Sequence, residues 1–591
     1  MTRRSSAAKT AESRSSRSGP VAALPFTELP APARALFLLL AATALLRALA
    51  PLVPGRWLWG VDLAHDLAPL AFWPAWLALA ATLAWPALSG RLVAVAGRPR
   101  WPHALALAAL VAALAWMFPE HAFVTGDTSL RHGAFARLEH PEQFAPQALP
   151  ADLALHHALP RAMAAALGVP HELAGRLWGL ALAFAWVFAA WFLARAVARS
   201  AAGTWAALAA AAFGAQLALL NGYAKSTVEM NVCVLVLAAA LLALARDGRR
   251  LGVAGLAVAI ALVLHRSAIA LVPAWLAALA LGATAKRDAR PSVGDWLLAA
   301  TPLAAFVVVG PRMWTTFRSF DATRHAPLGL HAFAPAALGD AVQTLLLLAP
   351  LALLALALFA RAAWWRRREV LALAALVLPQ LALLVFVRPQ QGLFRDWDVY
   401  VGAGVALSAL VAWLVAEALD ETPAAAWLAL PVLLAAAPTA IQWLAHQSDM
   451  PRALARASDL LAGPPARTAN ERASGYDHLG MMWMAAGDHA NADRAFARAV
   501  EAAPNPRLFV QWGMNSTMAG DYAAAREHYA RAVSLNPDLT MGWKGLATCA
   551  SALGDVPAME QALVGLRRLL PNDPLTHDAE AWLQTNRPAP R

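Results

Sequence analysis

The sequence predicts an all-α chain: a polytopic bundle of about thirteen membrane-spanning helices, followed by an α-solenoid of helix pairs. Three observations predict this. The chain is 60% hydrophobic and 14% charged, against about 25% charge in ordinary soluble domains. Apolar runs of about 18–20 residues recur along it, the length that crosses a bilayer core as a helix. The last quarter changes character and repeats itself with a period near 34 residues.

The first 33 residues (MTRRSSAAKTAESRSSRSGP…) are rich in Ser, Ala and Arg. They read as a disordered basic leader. The leader is too long for a signal peptide, and Arg47 interrupts the small residues near Ala48-Leu49-Ala50, so the first apolar run reads as an uncleaved span. Residues 34–445 form the expected membrane domain. Its spans are expected at about 34–53, 69–88, 102–118, 175–195, 203–221, 228–245, 251–264, 268–283, 296–310, 342–360, 369–387, 399–418 and 424–443. Only helices satisfy their own backbone in lipid without closing a barrel.

Short cytoplasmic loops collect Lys and Arg. With the leader in the cytoplasm, the clusters Arg91/Arg98/Arg100, Arg195/Arg199, Arg246/Arg249/Arg250, Lys286/Arg287/Arg290 and Arg361/Arg366/Arg367/Arg368 all fall inside. The expected location is a bacterial inner (cytoplasmic) membrane. Segments 119–172, 222–227, 265–267, 311–341, 388–398 and everything beyond 443 then fall on the extracytoplasmic face. The loop 311–341 reads as mobile, with its charges mostly solvated.

From Ser448 to Arg591 there are 14 basic and 15 acidic residues, so the tail is near neutral and the net charge of +11 belongs to the membrane part. That placement argues against a nucleic-acid partner. Cys233 falls in an apolar run and Cys549 in the tail, which leaves no disulfide framework. After a linker at 446–473, Gly-Asp recurs at 487–488, 520–521 and 554–555, and proline at 504, 537 and 571. This period, with paired helices and proline after the second, matches the tetratricopeptide repeat (TPR). About three copies fill 474–580. Such repeats bind a partner, here a protein or glycan partner, through a concave face.

Four polar stations lie on the outer face. The long loop 119–172 carries Gly126-Asp127 and Arg131, with two amphipathic helices at about 128–140 and 151–167. Asp127 follows a span closely. Partial burial raises a carboxylate's pKa and makes it a better general base; alternatively it caps the next helix. At the second station Lys225 and Glu229 are four apart and share a helix face, as intramembrane functional groups or as an ion pair with lysine snorkelling. The third, His265-Arg266, sits between two short spans, where Arg266 suits a phosphate or is an ordinary interfacial arginine. The fourth is Arg388 with Arg395-Asp396-Trp397-Asp398. There one aspartate is expected to cap the span from about 399, and the other to be free for a ligand or an arginine.

His156-His157 is not expected to hold a metal, since adjacent helical residues point apart. No phosphate loop, HExxH, CxxC pair or GxSxG elbow is present in the sequence, and no cofactor or metal is called for.

The multipass core, the long outer loop with two juxtamembrane helices and the aspartate near its start resemble the GT-C glycosyltransferases. So do Gly126-Asp127…Arg131, Gly222-Tyr223 and Arg395-Asp396-Trp397-Asp398. The layout of membrane core plus repeats is similar to that of eukaryotic membrane O-mannosyltransferases. The loop follows the third expected span rather than the first, and Asp127 stands alone where many members have paired acids.

The resemblance implies transfer of a sugar from a polyprenyl-phosphate carrier to an acceptor on the extracytoplasmic face, with inversion. Asp127 would deprotonate the acceptor hydroxyl. Arg131, Arg266, Arg388 and Arg395 would compete for the carrier phosphate, assisted by Lys225. Asp396 or Asp398 would orient arginines or bind sugar hydroxyls. The alternative is a non-enzymatic membrane scaffold acting through the repeats. A transporter would need polar residues deep in several spans, and few are present.

Overall fold

The computed structural model describes residues 24, 26–126, 128–318, 325–327, 329–389 and 391–587. Asp127 lies outside the described residues. The described chain is all-α apart from one short ribbon, in which His325–Pro327 pairs antiparallel with Val387–Pro389. Eight helices are long and apolar enough to cross a membrane, and three bent pairs bring this to eleven. Trp101–Met117 and Leu251–Leu264 are shorter apolar helices. Each expected span therefore coincides with an apolar helix or bent pair, but only eight to eleven of these are candidate spans; Trp101–Met117 and Leu251–Leu264 are too short to count.

Three expected spans are not straight; Ala201–Ala212 turns by 62° into Ala215–Asn221 without a proline between them, and the other two turn more sharply. Pro69–Ala84 turns by 100° into Pro86–Ala96, and Pro335–Leu348 turns by 97° into Ala352–Ala360. A proline lies at each of these two breaks, Pro86 and Pro350. Proline lacks the N–H that would continue the helix and forces the preceding residue out of the helical region; Trp85 accordingly sits at φ −125°, ψ 68°.

Burial sorts the helices. Val401–Glu421 and Thr227–Asp247 lie at the centre, almost wholly buried. Their small residues let neighbours approach closely, as Gly404 does against Leu348. Val293–Ala299 and Thr301–Arg318 lie outside and expose Leu303, Val307 and Val308, the apolar surface a bilayer would cover.

Within the expected linker 446–473 runs the helix Met450–Ala462. Then come the pairs Ala469–Ala485/His489–Ala502, Pro506–Met518/Tyr522–Leu535 and Thr540–Leu553/Val556–Leu569, closed by Pro574–Asn586. This is a TPR-like array, and the Gly-Asp repeat has a local cause. Gly487, Gly520 and Gly554 take positive φ and end the first helix of each pair. Asp488, Asp521 and Asp555 then cap the second, accepting from the N–H of Asn491, Ala524 and Ala558.

The array is fastened to the bundle by buried charge. Arg56 donates to Asp62, Asp66 and Asp459, and Arg456 pairs with Asp62 and Asp66. Asp340 takes Arg467 at 2.7 Å and Arg388 at 3.4 Å. The segment 311–341 is thus largely structured where described: Thr301–Arg318 continues through its start, and Asp340 is buried.

Candidate functional site

The loop after Trp101–Met117, the turn before Thr227–Asp247, the turn at His265 and the stretch 395–398 meet at one end of the bundle. Asp398 is fully buried at their centre. Its Oδ2 accepts from the Tyr223 hydroxyl at 2.6 Å and from Lys225 Nζ at 3.2 Å. Gly126 lies against Tyr223 and Asp398. Its φ is +59°, and a Cβ there would overlap the Tyr223 hydroxyl, so only glycine fits. Its N–H donates to the Arg395 carbonyl at 3.2 Å, tying the long loop to the fourth station.

Asp152 anchors a second layer. Its Oδ2 receives Arg131 at 3.0 Å, and its Oδ1 accepts from the Ser226 N–H and hydroxyl at 2.8 and 2.9 Å. Burial opposes its charge, but Arg131 and His156 win and hold its pKa below the usual carboxylate range. Arg131 also donates to the Ala224 carbonyl. Both sides of this bolt are buried, so Arg131 positions the Lys225 turn and is not a free phosphate ligand.

His156 sits in a single π-turn, Ala154–Ala158, with Nε2 3.1 Å from Glu229 Oε1. Burial disfavours its charge, yet Glu229 and Asp152 keep its pKa raised. Trp178 also donates to Glu229. Lys225 and Glu229 do not share a helix face: the helix begins at Thr227, which leaves Lys225 in the turn and on Asp398. Glu229 is a buried partner of His156, not a ligand for a phosphate.

His265 accepts from the Ser267 N–H and shares a 2.7 Å hydrogen bond with its hydroxyl. Burial, then the Arg266 charge, push its pKa down to about 4. The fields of Lys225, Asp152 and Asp398 also reach it, so the third station belongs to the same cluster. His265 is a neutral hydrogen-bonding group near neutral pH.

The fourth station divides. Arg388 donates to Glu471 of the first repeat helix at 2.8 Å, and Arg395 donates to the carbonyl and hydroxyl of Ser474 at 3.0 and 3.2 Å. These two arginines clamp the tail, a role the sequence reading assigned to neither. Asp396 precedes the turn Trp397–Tyr400 without a side-chain cap. Asp398 is the aspartate buried at the centre of the cluster, and neither aspartate makes a side-chain cap for the span.

The sequence reading missed Glu120. It is buried, and its pKa is pushed up to about 7, chiefly by burial and then, against the Thr125 backbone, by the Asp398 charge. Its position three residues past the apolar helix Trp101–Met117 was the only available signal. It also missed His478, whose Nε2 lies 3.1 Å from the Ala122 carbonyl and brings the tail over this loop. Among the described residues no group of three or more His, Cys, Asp or Glu could hold a metal.

No protein-family model matches the chain, and no curated protein matches it at a significant level. Among solved structures it matches a chain of the APC/C hetero-tetramer Cut9-Hcn1, at 13% identity over 75% of this chain and 98% of that one, with a TM-score of 0.16. A likeness at that score carries no argument, and the TPR-like reading rests on the helix pairs themselves.

Proposed function

We propose that the protein is a membrane glycosyltransferase that takes a sugar from a polyprenyl-phosphate carrier and transfers it to an acceptor hydroxyl on the extracytoplasmic face. One observation carries this reading: carboxylates and cations from four separate stretches gather around Asp398 at one end of an apolar bundle. Buried charge of both signs in such a place serves chemistry or binding more often than packing.

In this reading Asp127, the residue after Gly126, is the base. It takes the proton of the acceptor hydroxyl as that oxygen bonds to the anomeric carbon. The bond from that carbon to the phosphate oxygen breaks, its electron pair leaves with the carrier phosphate, and configuration inverts. Lys225, held by Asp398, and Arg266 supply the positive charge that stabilises the leaving phosphate. Asp398 and Tyr223 position Lys225. The TPR-like tail suits a protein partner, which supplies or presents the acceptor.

The test uses purified full-length protein in proteoliposomes with a panel of polyprenyl-phosphoryl sugars. Transfer by the wild type, lost in Asp127→Asn and Lys225→Ala with folding retained, supports the reading. If no sugar is transferred, and cells carrying Asp127→Asn keep a phenotype that deletion of 446–591 abolishes, the protein is a scaffold acting through its repeats.

A further inference from the structure

Thr227–Asp247 runs from the site to the other end of the bundle, and the turn that follows it packs against the loop after Val272–Ala283. A Cβ on Gly248, whose φ is +70°, would lie 3.0 Å from Ala285 Cβ and from the Ala289 carbonyl oxygen. This contact brings two basic runs together, Arg249-Arg250 and Lys286-Arg287 with Arg290. Five exposed cations stand there against two exposed acids, Asp247 and Asp288. Among the described residues none of the five cations makes an ion pair or a side-chain hydrogen bond. Their neighbours are spoken for: Arg246 is held by Glu369 and Glu417, and Asp295 by Ser292.

Arg250 is held at φ +77°, ψ +27°. A long side chain in the left-handed region is strained, and such strain collects at binding sites. The next helix, Leu251–Leu264, is closed on most sides. Gly252 and Gly255 let Leu298 and Ala299 approach to where a Cβ would stand, and Ala254, Ala257, Val258 and Ala261 are buried. One stripe stays open. Val253, Leu256 and Ile260 are 41%, 36% and 49% exposed, and spacings of three and four put them on one face. The stripe starts three residues past Arg250 and runs about 10 Å along the helix, within the depth of one bilayer leaflet.

Charge and stripe together select an amphiphile. Unpaired guanidinium and ammonium groups suit phosphate oxygens. The apolar stripe beside them suits a hydrocarbon chain. A free phosphate would leave the stripe bare, and a zwitterionic lipid would bring its own cation among five others. We propose that this corner seats an anionic phospholipid, its phosphodiester on Arg249, Arg250, Lys286 and Arg287 and one acyl chain along Val253, Leu256 and Ile260. The proposal rests on the reading of the bundle as membrane-embedded, with these loops at the cytoplasmic leaflet. It does not depend on sugar transfer.

Native mass spectrometry of the full-length protein in detergent, with added phosphatidylglycerol or phosphatidylcholine, tests it. Phosphatidylglycerol adducts are expected to exceed phosphatidylcholine adducts about fivefold or more. Arg249→Ala combined with Arg250→Gly should abolish that preference at unchanged or higher thermal stability, because glycine takes positive φ without strain. Arg366→Ala combined with Arg368→Ala removes the same charge from another basic loop and should leave the preference intact. If the first double variant fails to fold, Lys286→Ala combined with Arg287→Ala takes its place. Equal loss in both loops marks diffuse surface charge and overturns the seat. So does inorganic phosphate that displaces the lipid at equal concentration, which assigns the cations to a free anion. Carbonate extraction of cell membranes tests the underlying reading. A protein that stays in the membrane but shows no lipid preference sinks the seat alone, and one that carbonate releases sinks both.

Discussion

The two ends of the bundle use the same ingredients to opposite effect. At the end away from the site, Glu417 is 2% exposed and receives Arg199, Arg246 and Arg367. Glu421 receives Arg361 and Arg367, and Asp420 accepts from the N–H groups of Arg199 and Ser200. Cations saturate these acids. At the site end Asp398 Oδ1 and Glu120 Oε1 keep acceptor capacity that no described residue fills. A saturated carboxylate can only latch helices together. An unsaturated one can bind or move a proton.

Breaking the latch should give the largest effect. Glu417→Ala leaves three arginines at helix ends without their shared partner. The arginines left behind are partly exposed and keep Asp420, Glu369 and Glu421 as partners, so water screens them and the loss is about 1.5–3 kcal/mol, which thermal unfolding in detergent should show. Transfer at the other end of the bundle should persist at temperatures where the variant is folded. A variant as stable as wild type would mean that Glu417 is not the latch.

At the site end the order reverses. Asp398→Asn keeps a hydrogen-bonding group for Tyr223 but releases Lys225. It should lower transfer on the order of 100-fold with only a small change in unfolding temperature. If stability falls and transfer does not, Asp398 is a second latch and the contrast between the ends collapses.

The two ends were not equally legible. The arginine clusters at 195–199, 246–250 and 361–368 were assigned to one side by counting crossings, and the structure joins members of all three through Glu417 and Glu421. Charge asymmetry and apolar length are local, so they survive in the sequence. The TPR-like pairs were legible because each period repeats its Gly-Asp junction. The site was legible only as stations. Tyr223, Lys225 and Asp398 are each polar near a span end, but their meeting depends on how helices 170 residues apart pack. Arg388 and Arg395 misled because an arginine beside acids looks the same whether it awaits a phosphate or is held by Glu471 and Ser474. Glu120 was missed because burial, not sequence context, sets its character.

Stability against pH should sharpen the comparison next. The folded-state pKa of Glu120 is raised to about 7 by burial and then by Asp398, while the Thr125 and Val124 backbone opposes. The folded protein therefore binds more protons than the unfolded chain between about pH 4.5 and 7, and stability falls as pH rises through that window. His265 is depressed to about 4, by burial and by Arg266 and Lys225 against Asp152 and Asp398. Its contribution has the opposite sign: stability rises with pH from about 4 to 6.5. The two largely cancel in the wild type. Glu120→Gln removes one of them, so its stability relative to wild type should grow by roughly 2 kcal/mol between pH 5 and 8. Parallel curves for the two proteins would deny Glu120 its buried proton.

The smallest effect expected is at the contact between tail and site. Ser474→Ala removes one of two acceptors for Arg395 Nη1, while the Ser474 carbonyl at 3.0 Å remains. A single hydrogen bond with a surviving neighbour is worth about 0.5–1 kcal/mol. Arg395→Ala removes both bonds and leaves the Gly126 N–H bound to a backbone no longer held by its own side chain. If the tail only hangs from the bundle, the two substitutions should differ in stability alone. If the first repeat helix helps hold Gly126 against Tyr223, transfer should fall less than threefold in Ser474→Ala and well over tenfold in Arg395→Ala. Equal transfer in both variants would separate the repeats from the chemistry and leave them only the partner to bind.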